Sequence, residues 1–473
     1  MRNESTAVLA REGPQARQTH KYWVLAAVGV GSFMASLDSS IAHTLLPEMS
    51  RALNTSVATI EWVLTVYLLV LSGTLLAFGR LGDIRGHKDV YVGGFAGFVI
   101  TSALCGLAPS AVWLIVFRTL QAVTGAMLYA NAPAIITGSF PPNQRGRALG
   151  LQIATTYVGY SAGPPLGGAL AVLFGWRAIF FINVPIGLIG TFLAYRLIER
   201  DRPKGAAPKF DFRGAALYFF GLFALLLALN QGYRWGWWAA RTLTLICGGI
   251  GVLGWFLAVE SRREHPMLDL SLFRQPVFSG AVFSSLMSYA ANSSLFFLLP
   301  FYLIGARGLN PARTGLMMMA LPVTVMILVA FTGTLSDRVG SRLPTMFGMA
   351  MVVIGMLLLA RATALAPLWH VTVSLVVCGI GFAAFIAPNN SRLLGAAPPN
   401  RQGIASGILA GSRTLGMVIG VAISGAVYTT VLHRAGRQGV GAGVRRALEV
   451  VAMMAAIAIV TSWLEREHSP ERR

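Results

Sequence analysis

Acidic residues are scarce in this chain: 18 Asp and Glu stand against 38 Lys and Arg in 473 positions. Charge of either sign is thin, at 12% of residues, while 55% are hydrophobic and the mean hydropathy is +0.64. Such a composition excludes a soluble domain of this length. The formal charge of +20 does not point to nucleic acid, because the basic residues are scattered through short loops instead of gathered on one domain. Three cysteines, Cys105, Cys247 and Cys378, stand singly inside apolar runs, which excludes a disulfide framework or a metal cluster. There is no nucleotide-binding Gly-Lys motif and no hydrolase triad. The sequence therefore argues against an enzyme, calls for no cofactor or metal, and leaves an ion gradient as the energy source for any active process. The first twenty residues are polar and charged, so no cleavable signal peptide is expected.

What is present is a series of apolar segments, each long enough to cross about 30 Å of hydrocarbon. They fall near 22–46, 60–79, 89–108, 111–137, 148–172, 178–197, 213–230, 242–260, 276–304, 313–333, 344–362, 369–390, 402–430 and 446–464. About fourteen spans put both ends on one side of the bilayer. Roughly 25 Lys and Arg lie in the loops on that side and about 11 opposite, which makes it the cytoplasmic side. The tryptophans, Trp23, Trp113, Trp176 and Trp369 among them, cluster near span ends, as interfacial anchors do. The loop with Arg434, Arg437, Arg445 and Arg446 opposes the charge rule. The expected protein is an all-helical, multi-pass protein of a bacterial inner membrane. The dominance of Arg over Lys hints at a GC-rich genome.

Between the second and third spans lies a compact polar stretch, Gly79-Arg80-Leu81-Gly82-Asp83-Ile84-Arg85-Gly86-His87-Lys88. A looser copy follows 254 positions later, Gly333-Thr334-Leu335-Ser336-Asp337-Arg338-Val339-Gly340-Ser341-Arg342. Glycine lets backbones approach or ends a helix, Asp can cap a neighbouring helix N-terminus, and basic residues stay in the cytoplasm. Two six-helix halves alone would space the copies about 190–200 residues apart, and the excess of roughly 55 is the length of one helix pair. The expected organisation is a tail at 1–21, a six-helix bundle at 22–197, a linker at 198–212, an inserted two-helix hairpin at 213–260, a second six-helix bundle at 276–464 and a tail at 465–473.

The two copies resemble the loop signature of the major facilitator superfamily of secondary transporters. The first departs from it with Ile84 where Arg is usual and Arg85 one place late; the second has Arg338 in place. In the fifth span, Gly159-Tyr160-Ser161-Ala162-Gly163-Pro164-Pro165-Leu166-Gly167-Gly168 sets Gly159, Gly163 and Gly167 on one helix face. By itself this is an ordinary packing device. It is also similar to the signature of antiporters in that superfamily, where the resemblance implies a close contact between the two halves that seals a gate. Further runs, Trp176 to Gly187, Leu37-Asp38-Ser39-Ser40-Ile41, Pro300-Phe301-Tyr302-Leu303, and Arg401 to Gly407 leading to Arg413, resemble the fourteen-helix drug/proton antiporter branch of EmrB and QacA. His43 stands where that branch has Asn, and Ala122 and Thr124 replace glycines that normally follow Arg118–Gln121.

An ionised group in the membrane costs at least about 2.5–3.5 kcal/mol, so each one asks for a reason. Asp38 and Arg118 fall at similar depth in the outer third of spans one and four, which the family fold sets side by side. One reading is a static ion pair. The other is proton coupling: in a cavity that dries and wets, loss of water favours a neutral carboxyl and a nearby guanidinium favours a charged one. Arg413, near the middle of span thirteen, has no obvious carboxylate partner. His43 reads as interfacial and Glu61 as solvated. Gln121, Asn292 and the aromatic and Met residues Tyr67, Tyr157, Tyr289, Phe296, Phe297 and Met317 to Met319 are candidates for lining a substrate cavity.

Together these features predict a proton-coupled antiporter exporting small amphipathic compounds by alternating access, a monomer whose partners are lipid, protons and substrate. A periplasmic adaptor stays open. The alternatives are a dedicated exporter of one metabolite or antibiotic, and a transport-inactive sensor or scaffold. With one deep acid against two deep bases, neutral, zwitterionic or weakly acidic substrates are expected over cations.

Overall fold

The computed structural model describes residues 14–55, 57–60, 62–200, 210–261, 268–309, 311–362, 366–398, 401–435 and 440–464. Most of the linker at 198–212, the tail at 465–473, Glu61 and Arg437 lie outside the described residues, as do the side chains of His43 and Pro164. The described residues hold helices and no strand. The long helices are α1 (Pro14–Thr44), α2 (Trp62–Arg85), α3 (His87–Gly106), α4 (Ala111–Ser139), α5 (Arg145–Phe174), α6 (Asn183–Leu197), α7 (Phe212–Trp235), α8 (Ala240–Glu260), α9 (Pro276–Pro300), α10 (Ala320–Val339), α11 (Arg342–Ala360), α12 (Leu368–Ala396), α13 (Gln402–Ala435) and α14 (Val440–Leu464).

Among the described residues, twelve helices are long and apolar enough to cross a membrane. The sequence reading of fourteen crossings adds α5, whose apolar part is the short stretch Pro165–Phe174, and α14, a helix of 25 residues. Helices suit this composition because a chain in hydrocarbon must satisfy its backbone hydrogen bonds internally. Two expected spans are broken by proline. Pro185 cannot donate to the Phe181 carbonyl, and the helix splits into Ala178–Phe181 and α6 around Ile182. Pro322 likewise cannot donate to Met318, and Pro311–Met318 separates from α10 at Met319. The expected span at 276–304 ends α9 at Pro300 and continues as a π turn over Phe301–Ala306.

The helices share several cores. One joins α9 to α14 around Leu298, Val325, Met349, Phe382 and Val451. Others lie mainly in α1 to α6, around Tyr91, Phe95 and Phe98, around Leu37, Leu114 and Phe180, and around Tyr67, Leu71 and Ala126. The pair α7 and α8 packs together and leans on α2 and α13: a Cβ at Gly73 would meet the Phe219 ring at 2.7 Å, and one at Gly411 the Tyr218 hydroxyl at 3.4 Å.

Both loop copies lie at one end of the bundle, which we call the motif face. The repeat extends to backbone geometry, since Gly86 and Gly340 both turn the chain with φ of 99° and 85°, a region that only glycine enters without strain.

Candidate functional site

At the motif face the two copies make matching contacts across the molecule. The carboxylate of Asp83, at the end of α2, accepts from the amides of Gly403 (2.7 Å) and Ile404 (3.0 Å), which open α13. The carboxylate of Asp337, at the end of α10, accepts from the amides of Gly146 (2.8 Å) and Arg147 (2.9 Å), which open α5. Each caps orphan N–H groups and meets the positive end of a helix dipole. The close approach needs bare backbone. A Cβ at Gly79 would strike the Gly403 carbonyl, and one at Gly333 the Gly146 carbonyl. His87 adds a brace to the first copy alone, 3.6 Å from Asp83 and with Nδ1 2.8 Å from Asn131 Oδ1. Of the basic residues, Arg85 and Arg338 are exposed, and the Lys88 ammonium lies 5.5 Å from the Tyr195 ring centroid. Gly146, Gly150 and Asn131 complete these contacts without carrying any mark in the sequence. Their only hint is that Gly146 and Gly150 repeat the spacing of Gly403 and Gly407.

The glycine face of α5 packs somewhere other than the resemblance implies. A Cβ at Gly159 would meet Ser36 and Phe33 of α1, one at Gly163 would meet Ser40, and one at Gly167 would meet Ile41. Ser40 Oγ donates to the Tyr160 carbonyl at 2.7 Å and ties the same two helices. The three glycines let α5 lie against α1, within the N-terminal helices instead of between the halves. Gly168 faces open space, with nothing within 4 Å of a Cβ. The contact between halves falls to the other end of the same helix, at Gly146 and at Gly150, whose Cβ would meet the Val329 carbonyl of α10 at 2.7 Å.

Asp38 and Arg118 are brought together. Arg118 Nη1 donates to Asp38 Oδ2 at 2.6 Å, with both side chains at most 1% exposed. Around them sits a buried polar shell, in which Arg118 Nη2 and Asn183 Oδ1 lack partners. Gln121 Nε2 (3.3 Å) and Asn183 Nδ2 (2.8 Å) donate to Asp38 Oδ1. Arg118 also donates to Gln121 Oε1 (2.8 Å) and, through Nε, to the Val63 carbonyl (3.3 Å). The guanidinium lies over the Tyr67 ring, 4.3 Å from its centroid. Asn183 donates in turn to Ser102 Oγ (3.0 Å), which donates to the Phe180 carbonyl (2.9 Å). The break before α6 therefore has a use: it sets Asn183 at a helix start, pointing at Asp38. Side chains of α4 and α6 thus meet the α1 carboxylate directly, and α2 and α3 complete the shell through Arg118 and Asn183. Asn183 and Ser102 were not legible as site residues, since a single Asn or Ser in an apolar run looks like any other.

A second polar group lies between the halves. The Arg413 guanidinium of α13 stands 5.3 Å from the Tyr289 ring centroid of α9, and it is within electrostatic reach of the hydroxyls of Tyr129 and Tyr157 on α4 and α5. Asn292 Nδ2, one turn beyond Tyr289, has no hydrogen-bond partner. Phe296, Phe297, Met317 and Met318 pack against the C-terminal core. No group of three or more His, Cys, Asp or Glu that could hold a metal occurs among the described residues.

The family model of the Major Facilitator Superfamily matches residues 28–421. The chain is 32% identical over 415 residues to the riboflavin transporter RibZ of Clostridioides difficile, covering 87% of this chain and 89% of that one. It is 32% identical over 413 residues to the multidrug resistance protein Stp of Mycobacterium tuberculosis, covering 86% of this chain and 76% of that one. The fold is similar to the crystal structure of the human organic anion transporter MFSD10 (TETRAN), with a TM-score of 0.69 at 15% identity over 95% of this chain and all of that one. A family match over most of the length, two curated relatives above 30% identity and a bundle of apolar helices agree: the chain belongs to the Major Facilitator Superfamily and is a multi-pass membrane transporter, not an enzyme.

Proposed function

We propose that the chain is a proton-coupled antiporter with fourteen crossings that exports small amphipathic compounds by alternating access, of the drug/proton antiporter branch. The motif face is the cytoplasmic side, the membrane is the bacterial inner membrane, and protons, lipid and substrate are the partners. The observation that carries this reading is the sealed Asp38–Arg118 pair. Asp38 is the acid at the centre of a shell in which every described partner, Arg118, Gln121 and Asn183, donates to it. A proton arriving on Asp38 removes its charge, weakens its hold on Arg118 and loosens the junction of α1, α4 and α6. That links protonation to helix arrangement, which is the requirement for coupling. Arg118 keeps its charge throughout, so its part is to hold and orient the carboxylate. The Asp83 and Asp337 caps close the cytoplasmic face in this state, and opening that face requires both to release their helices.

A second reading is a dedicated exporter of one compound; the name of the riboflavin transporter relative supports the single solute and not the direction, and the multidrug relative favours the broader reading. Efflux driven by a pH gradient in liposomes tests the coupling. Asp38→Asn should insert and fold, because Arg118 keeps Gln121, the Val63 carbonyl and the Tyr67 ring, while proton-driven efflux is abolished; Asp38→Glu should retain a part. Normal pumping by Asp38→Asn at every pH would place the proton carrier elsewhere.

A further inference from the structure

The central polar layer differs from the Asp38 cluster in both place and chemistry. Counted at 1.5 Å per residue from the motif-face ends of their helices, Tyr129, Arg413, Tyr157, Tyr289, Tyr160 and Asn292 lie about 15–24 Å deep. Asp38 and Arg118 lie deeper, at about 27–31 Å. The shallower layer is the mid-plane of the bundle, and its members come from both halves: Tyr129 and the α5 tyrosines from one, Tyr289, Asn292 and Arg413 from the other.

Three observations say that this layer is unfinished. Arg413 has no carboxylate partner among the described residues, and its Nε has no hydrogen-bond partner. Asn292 Nδ2, on the same face of α9 as Tyr289, is also unpaired. Tyr160, within reach of Ser39, Tyr129 and Tyr157, is nevertheless 45% exposed, so its polar neighbours leave much of it uncovered. Both residues are half-buried, and a shielded guanidinium N–H and an amide N–H left without acceptors are costly unless something supplies them. The acid nearest by position, Asp38, is held by Arg118 and 3% exposed, so it cannot be that something.

We propose that Arg413 with Tyr289, Asn292 and the tyrosines facing them forms the substrate-recognition site, and that it selects planar aromatic compounds carrying an anionic oxygen group, a carboxylate or phenolate. The guanidinium fork presents paired donors to such a group, the rings take the aromatic body by offset or edge contacts, and the Asn292 amide donates to a second acceptor. Cations are disfavoured, because the site offers them no carboxylate in return for lost hydration. The proposal rests on the export reading, and it makes Arg413 a residue of specificity with no part in coupling.

Three fluorescent probes on one ring separate the charge terms: 9-anthracenecarboxylate, 9-anthracenemethanol and 9-(aminomethyl)anthracene. Fluorescence anisotropy with the purified full chain in an uncharged detergent measures equilibrium binding with no gradient present. The carboxylate should bind about tenfold or more tighter than the alcohol, with the ammonium weakest. Arg413→Gln should remove the carboxylate's lead and leave the alcohol within about twofold of its original affinity; Arg413→Lys should keep part of the lead, because charge remains and the fork is lost. Tyr289→Leu should weaken all three probes alike, and Tyr289→Phe should not. An ammonium probe that binds as tightly as the carboxylate overturns the proposal, as does an order of affinities that survives Arg413→Gln. If Arg413→Gln fails to run as a single species on size exclusion, the wild-type order and Arg413→Lys decide. Since no proton gradient enters, a correct order with undiminished Asp38→Asn transport would sink only the coupling, and a wrong order with a silent Asp38→Asn would sink only the specificity.

Discussion

Asp38 and Asn292 stand in the same place in the two repeats, 254 positions apart, the offset that also relates Asp83 to Asp337. In the N-terminal half that place holds an acid, gripped by three donors and closed to solvent. In the C-terminal half it holds a neutral amide with an unpaired nitrogen. Where Arg118 would repeat, α12 offers Thr372, Val373, Ser374 and Leu375. One half thus carries an ion pair in its interior, and at the interface between halves the other presents Arg413 beside Tyr289. The same fold repeated twice holds a closed ion pair in one half and an unpaired amide in the other. At the motif face the copies remain alike, each Asp capping the opposite half. Symmetry is kept where the halves latch and lost where chemistry is needed.

The largest expected effect comes from breaking the ionic half. Arg118→Met leaves Asp38 buried without its counter-ion and should cost about 3–5 kcal/mol, read as a fall in thermal unfolding midpoint in detergent. Removing both charges with Asp38→Asn and Arg118→Met together should recover most of that loss while leaving proton coupling absent. If the double variant is as unstable as the single one, the shell does not owe its stability to charge balance.

A smaller effect sharpens the likeness at the latch. Asp83→Asn should speed hydrogen exchange at the amides of Gly403 and Ile404 about tenfold, the equivalent of a helix cap worth about 1.4 kcal/mol. Asp337→Asn should do the same at Gly146 and Arg147. The first should exceed the second, because Asp83 is also braced by His87. Equal effects would mean that the brace adds nothing.

The smallest effect tests the hinges. Gly86→Ala and Gly340→Ala each force a side chain into positive φ and should cost about 1 kcal/mol apiece by the same thermal measurement. Unequal losses would show that the second, looser copy tolerates a different turn.

Much of this was legible from the residues. Charge in an apolar span is rare enough that Asp38 and Arg118 draw attention, and counting along two antiparallel helices puts them at one depth. The repeat of Gly, Asp and Gly predicts a capped turn, and both copies form one. What was not legible depends on facing. Nothing in the sequence says which helix the Gly159–Gly163–Gly167 face meets, and the antiporter resemblance points to the opposite half where the structure has α1. Asn183 escaped because its role depends on a helix break at Ile182, set by Pro185, and on α3 supplying Ser102. The crossing count also depends on α5, where Thr155, Thr156, Tyr157 and Tyr160 dilute the apolar signal.

The pair α7 and α8 leans on α2 and α13, one of the two lines along which the halves meet. No helix among the described residues takes the corresponding place against α5 and α10. The molecule therefore has a front and a back in the plane of the bilayer. On one flank, any rocking of the halves slides protein against protein, at a joint already packed by Phe219 and Tyr218. On the other, no described helix covers the joint, and such a motion would be felt there by lipid. The thickness and fluidity of the surrounding lipid should then bear on turnover through a single flank, and a solute dissolved in the bilayer meets an uncovered joint from that side alone.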